Sequence, residues 1–154
     1  MKSIAYGSIA LLALCLLPGC ANGRATESMN SRVSRLIDEA TKSEKAAQKA
    51  FNELESLGNQ AVPYLVGNLD DMRPLAAREI TLENRASDAF EGLRHYGPET
   101  VHDALAAILS QATGKSFIIV YNGATPNERE ENRVKWVEWC QEEFPAQAAT
   151  CRGQ

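Results

Sequence analysis

The stretch Ala112-Thr113-Gly114-Lys115-Ser116 has the residue types of a phosphate-binding loop. Such a loop needs a second glycine five residues before Gly114, where Leu109 stands, and it leads from a strand into a helix. Here the order is reversed: a helical apolar pattern precedes it and a β-branched run follows. A helix end presents carbonyls, the wrong polarity for phosphate, so Gly114 reads as a helix C-cap with Lys115 near the negative end of the dipole. His95 and His102 are the only histidines, and Glu99 or Asp103 could join them in acid/base work. Gly97-Pro98 breaks the helix between the two histidines, so their spacing assigns them no shared face. Glu142-Glu143 and Asp70-Asp71 are sequence neighbours, which do not face each other on a helix, and read as solvated charges. No serine sits in a nucleophile elbow, and no His-Glu-x-x-His pattern exists. These residues predict no enzyme, no cofactor and no metal site. Trp136 and Trp139 offer aromatic surface for a sugar, or anchor the end of a helical stack; the second reading is preferred.

The elements that position these residues belong to one small domain. The chain has 154 residues, 44% of them hydrophobic, and a formal net charge of −4. That is enough for a single core. An acidic chain without a dense Lys/Arg patch argues against nucleic acid as a partner.

The body of the chain contains two related stretches. Ala50-Phe51-Asn52-Glu53-Leu54-Glu55-Ser56-Leu57-Gly58 is followed by Val62, Leu65, Val66 and Leu69. Ala89-Phe90-Glu91-Gly92-Leu93-Arg94-His95-Tyr96-Gly97 is followed by Val101, Ala104, Leu105 and Ile108, each pair 39 residues apart. The apolar stripe in each predicts a helix, stopped by Gly58 or Gly97 in the left-handed position past its end. Pro98 lies where a second helix can begin. Two helices per unit of about 40 residues is the HEAT-type pattern. Ala50 to Leu69 resembles a HEAT repeat, with Pro63 at the proline often carried early in the second helix. The resemblance spans residues from about 42 to 112 and implies an all-α fold of helical hairpins that binds proteins or acts as a scaffold, not a chemistry. Flanking segments should cap so short a stack.

The C-terminal part departs from this pattern. Phe117-Ile118-Ile119-Val120-Tyr121 predicts a short strand, which Arg78-Glu79-Ile80-Thr81-Leu82 could pair. Thr125, Pro126 and Glu128 form a helix start with a capping box. That helix should run to about Phe144, with Val137, Cys140 and Phe144 on one face and both tryptophans widening it.

At the other end, Lys2 is followed by the apolar run Ile4 to Leu17, too short to span a bilayer comfortably. Leu17-Pro18-Gly19-Cys20 resembles the lipobox of bacterial lipoproteins. The resemblance implies that residues 1–19 are removed and that Cys20 is lipidated through its sulfur as the first mature residue. Ala21 behind it favours the outer membrane, facing the periplasm, by the same resemblance. Ala21 to Asn30 is small and polar, and residues 20–41 are expected to be a linker, with a weak helical pattern at Val33, Leu36, Ile37 and Ala40. The domain is expected over 42–145 and a tail over 146–154. Cys140 and Cys151 remain for the folded part. Outside the cytoplasm they read as a disulfide pinning the tail to the last helix; the alternative is a buried free thiol and a frayed terminal one.

The function expected is a lipid-anchored envelope module that binds another protein as an adaptor or scaffold. Tyr64, Asn68, His102 and Asp103 fall between buried positions and are the candidate contact residues. The alternative is an immunity or inhibitor protein against a toxin or wall hydrolase.

Overall fold

The computed structural model describes residues 27–85 and 89–154. The expected leader, the lipobox-like stretch with Cys20, and Ala21 lie outside the described residues. Helices dominate, as expected, and one two-stranded sheet joins them.

The first helix, α1 (Met29–Ala40), starts where a linker was expected. Ser28 caps it, its Oγ accepting from the Ser31 N–H at 3.1 Å. Val33, Leu36, Ile37 and Ala40 are buried against α2 (Glu44–Ser56). A stripe at i, i+3, i+4 and i+7 is a full helical face, so the domain begins before residue 42. Alanines 40, 47 and 50 are buried, and small side chains let helices approach closely. Gly58 ends α2 with φ +62°, as its position predicted. A single 3₁₀ turn leads into the short α3 (Val62–Val66), with Pro63 at its first turn.

The second stretch does not repeat this hairpin. Leu93–Tyr96 is a strand, β2, paired antiparallel with β1 (Ile80–Glu83), with Ile80 opposite Tyr96 and Glu83 opposite Leu93. Phe90 is wholly exposed rather than buried, and Gly97 does not take the left-handed conformation. Gly92 disfavours a helix by about 1 kcal/mol, and β1 offers an alternating apolar strand that needs a partner. The ribbon continues through an isolated pairing of Pro74 with Thr100. The next helix, α4 (Val101–Thr113), starts three residues after Pro98, at the Thr100 and Asp103 capping box. Residues 101–109 of α4 are all buried, the mark of a helix enclosed on every side. Helices α2 and α3 and strand β1 pack on it. Its end is Gly114, left-handed at φ +67°, as the sequence indicated.

Phe117–Tyr121 is not a strand, and β1 has β2 as its partner instead. The segment packs by side chains: Phe117 meets Trp136 edge-on at 4.9 Å and Tyr121 meets Tyr96 at 5.6 Å. Asn132 Nδ2 donates to Ile118 O at 2.6 Å, holding its backbone. Helix α5 (Pro126–Glu143) has the expected capping box, with Glu128 Oε2 accepting from the Thr125 N–H at 2.8 Å. Its buried face is Arg129, Asn132, Trp136 and Cys140, whereas Val137 and Phe144 are half-buried. The expected tail is packed as well. Its short helix α6 (Ala148–Cys151) lies against α3 and α5, and Cys140 and Cys151 are joined with sulfurs 2.08 Å apart. A Cβ on Gly67 would collide with Thr150 O, so only glycine admits the tail there. Among the described residues, no helix is long and apolar enough to cross a membrane.

Candidate binding surface

The four candidate contact residues do not share a surface. His102 and Asp103 are fully buried in α4. Tyr64 and Asn68 are half-buried, with Asn68 Nδ2 donating to Tyr64 O at 2.7 Å. They line a groove of about 220 Å³ together with Gly67, Thr150 and Gly153. As one half of an open hairpin α4 would expose His102 and Asp103; instead Leu69 O meets His102 and Arg129 of α5 meets Asp103.

What His102 and Asp103 do is hold the fold. His102 Nδ1 donates to Leu69 O at 2.6 Å, so its Nε2 is the acceptor nitrogen. Burial pushes its pKa below the ordinary histidine value, against the opposing pull of Leu69 O and Asp103. Asn132 also favours its protonated form, although neither His102 Nε2 nor Asn132 Oδ1 completes a hydrogen bond. Asp103 caps its own helix, accepting from the Glu99 and Thr100 N–H groups at 3.0 and 3.2 Å. It also receives Arg129 Nε at 2.7 Å and Nη2 at 2.9 Å. Glu99 takes a further bond from Arg129 Nη2 at 2.8 Å. These bonds to Asp103 raise the Arg129 pKa above its already high value. The bidentate pair spans α4 and α5 through Nε and Nη2 of Arg129 and both oxygens of Asp103, which is how an ion pair survives burial. Nothing in the sequence marked Arg129 apart from its neighbours.

The sheet has two unlike edges. On β1, the Gln48 side chain replaces a third strand: Nε2 donates to Thr81 O at 2.8 Å and Oε1 accepts from the Thr81 N–H at 2.9 Å. Two residues along, Glu55 Oε1 accepts from the Glu83 N–H at 3.1 Å. Burial raises the Glu55 pKa, opposed by that N–H and by Arg85. Since Thr81 and Glu83 direct their backbone groups away from β2, their opposites His95 and Leu93 direct theirs away from β1. No described residue meets them there. The free edge carries exposed side chains as well. Leu93 is 52% exposed, Arg94 lies beside it, and wholly exposed Phe90 stands just before the strand. His95 Nδ1 lies 3.1 Å from Thr81 Oγ1 and 3.2 Å from Glu79 Oε1. Read as a helix, this stretch hid its edge; the alternating Leu93-Arg94-His95-Tyr96 behind Gly92 was the available signal.

The remaining sequence candidates are dispersed. Trp136 is buried between Phe117 and Trp139, while Trp139 is half-buried. Among the described residues no group of histidine, cysteine and carboxylate side chains could hold a metal ion. No protein-family model, curated protein or solved structure matches the chain.

Proposed function

We propose that the protein is an envelope lipoprotein, held by an acyl group on Cys20, whose domain binds another protein by taking an extended segment of it along the free edge of β2. The role is binding, without catalysis. The observation that carries this reading is the contrast between the two edges. Side chains from α2 occupy the β1 edge, whereas no described residue meets the outward N–H and C=O groups of the β2 edge beside Leu93 and Phe90. An open strand edge is a template for another strand, and proteins that do not use one cover it. We read α2 and α3 as a single HEAT-like hairpin with the β-ribbon in place of a second. The Cys140–Cys151 bridge supports a compartment beyond the cytoplasm, where the leader would deliver the chain. Ala21 behind Cys20 favours the outer membrane.

The test is a photo-crosslinking residue placed at Phe90 and, separately, at Tyr64 in intact cells. An adduct should form from position 90 and not from 64. His95→Pro removes an outward-facing N–H that the β1–β2 ladder does not use, so it should abolish the adduct while the melting temperature falls by no more than about 5 °C. An adduct that persists in His95→Pro sinks the edge as the contact.

The exposed Phe90 also favours the inhibitor reading, since a lone aromatic beside a strand edge can fill a pocket on its target. Identification of the position-90 adduct as a secreted hydrolase or toxin decides for it; a structural envelope component decides for the adaptor.

A further inference from the structure

Three helix ends converge on one recess of about 240 Å³. Gly58 turns the chain past α2 and places Asn59 on the rim. Gly114 does the same past α4 and places Lys115 there. The last turn of α5 supplies Trp139, Glu143 and, at its cap, Phe144. Trp139 is held edge-to-face by Trp136 at 5.4 Å and by Phe144 at 6.0 Å. The next residue, Cys140, is tied to Cys151. The aromatic wall is therefore fixed before any ligand arrives, which lowers the entropic cost of binding.

Of the polar groups around it, Thr113 Oγ1 is engaged, donating to Leu109 O and accepting from the Lys115 N–H. The side chains of Asn59, Lys115 and Glu143 have no hydrogen bond or ion pair among the described residues. Together they offer an amide, an ammonium and a carboxylate, donors and acceptors of both signs. The C-terminal ends of α4 and α5 add carbonyl acceptors and partial negative charge. An anion would meet Glu143 and two negative helix ends. A cation would meet Lys115. A neutral, hydroxyl-rich ring satisfies every group: its hydroxyls donate to the carboxylate and carbonyls and accept from the ammonium and amide. Its polarised C–H face suits the electron-rich face of an indole. The volume is below the roughly 300 Å³ at which drug-sized sites begin, and so suits one ring.

We infer that this recess binds a single neutral pyranose ring of a saccharide. It shares no residue with the β2 edge and is a second activity of the domain. The experiment uses the full chain in detergent, labelled so that its two indole N–H signals are resolved by NMR. It is titrated with the trimer of N-acetylglucosamine, with maltotriose, and with inorganic phosphate. The Trp139 signal should shift saturably with at least one saccharide and not with phosphate. Trp139→Ala should remove binding. Because that side chain also packs on Trp136, the exposed Asn59→Ala and Glu143→Ala are the deciding variants. Each should weaken binding by about fivefold or more with an unchanged melting temperature. No saturable shift with either saccharide, a response to phosphate, or full binding in both exposed variants overturns the assignment.

Discussion

Gln48 on α2 takes both backbone hydrogen bonds of Thr81 on β1, donating through Nε2 at 2.8 Å and accepting through Oε1 at 2.9 Å. One primary amide thus does the work of a neighbouring strand. It seals one edge of a two-stranded ribbon and fixes that ribbon to the helical body. An isolated pair of strands is at best marginally stable, so this attachment is what lets β2 stand with its outer edge open.

Gln48→Ala should therefore destabilise the domain by about 1–2 kcal/mol, because it strands two half-buried backbone groups at once. Gln48→Glu keeps the acceptor and loses the donor, and should fall between. Urea titration of each variant measures this. A change below about 0.5 kcal/mol for the alanine variant would mean water replaces the amide without loss.

Asp103 and Arg129 form the buried pair of the core. Removing one partner leaves the other charged and enclosed, so Asp103→Ala should cost about 3–5 kcal/mol, more than an ordinary cap loss. Replacing both, as Asp103→Leu with Arg129→Met, should recover much of that. The non-additivity is read from a double-mutant cycle in chemical denaturation. Independent, additive effects would show that the pair does not act as a unit.

His102 contributes a pH response near neutrality, and Glu55, whose raised pKa makes the folded state the better proton binder, works against it. Its folded pKa lies below 6.5, so the unfolded chain binds its proton more readily than the folded one. Stability is then undiminished above the unfolded value and declines as pH falls from about 6.5 toward the folded value. Charges around it work both ways: Asp103 favours the proton, and Arg129 opposes it. Glu130, itself held low by Arg133, adds a further negative charge nearby. The carboxylates with lowered pKa values, Glu27, Glu128 and Glu130, lose their contribution only below about 4.5, outside this window. His102→Gln retains a donor for Leu69 O and should flatten the curve between pH 7.5 and 5. An equally steep fall in the variant would assign the window to another group.

The Cys140–Cys151 bridge closes a loop over a sequence separation of 11. Reduction, or Cys151→Ser, should lower stability by about 2–3 kcal/mol on the chain-entropy scale. Hydrogen exchange should then accelerate first in α6 and at its contact on α3. Gly67→Ala should produce the same local release without touching the bridge, because its Cβ would drive Thr150 away. Protection that survives in Gly67→Ala would mean the tail shifts and repacks.

Much of the local structure was legible in the sequence. Thr125, Pro126 and Glu128 start α5, Gly58 and Gly114 end α2 and α4, and the stripe from Val33 to Ala40 drew a helix even where a linker was expected. Each of these is a short-range signal: a hydroxyl in reach of an N–H three residues on, a missing Cβ, an apolar period. The identity of the second stretch was not short-range. Ala89–Tyr96 matches a helical copy of residues 50–57 in residue type, yet its second half, Leu93–Tyr96, pairs with Ile80–Glu83. Its backbone hydrogen bonds go to β1, whose other side Gln48 and Glu55 already hold. Strand β1 packs on α4 as well, while Leu69 O and Arg129 of α5 meet His102 and Asp103 and make them core residues rather than surface ones. A helix spends its hydrogen bonds within itself and so can be read from one segment. A strand spends them on a neighbour, and which neighbour is available is settled only when the whole chain has packed.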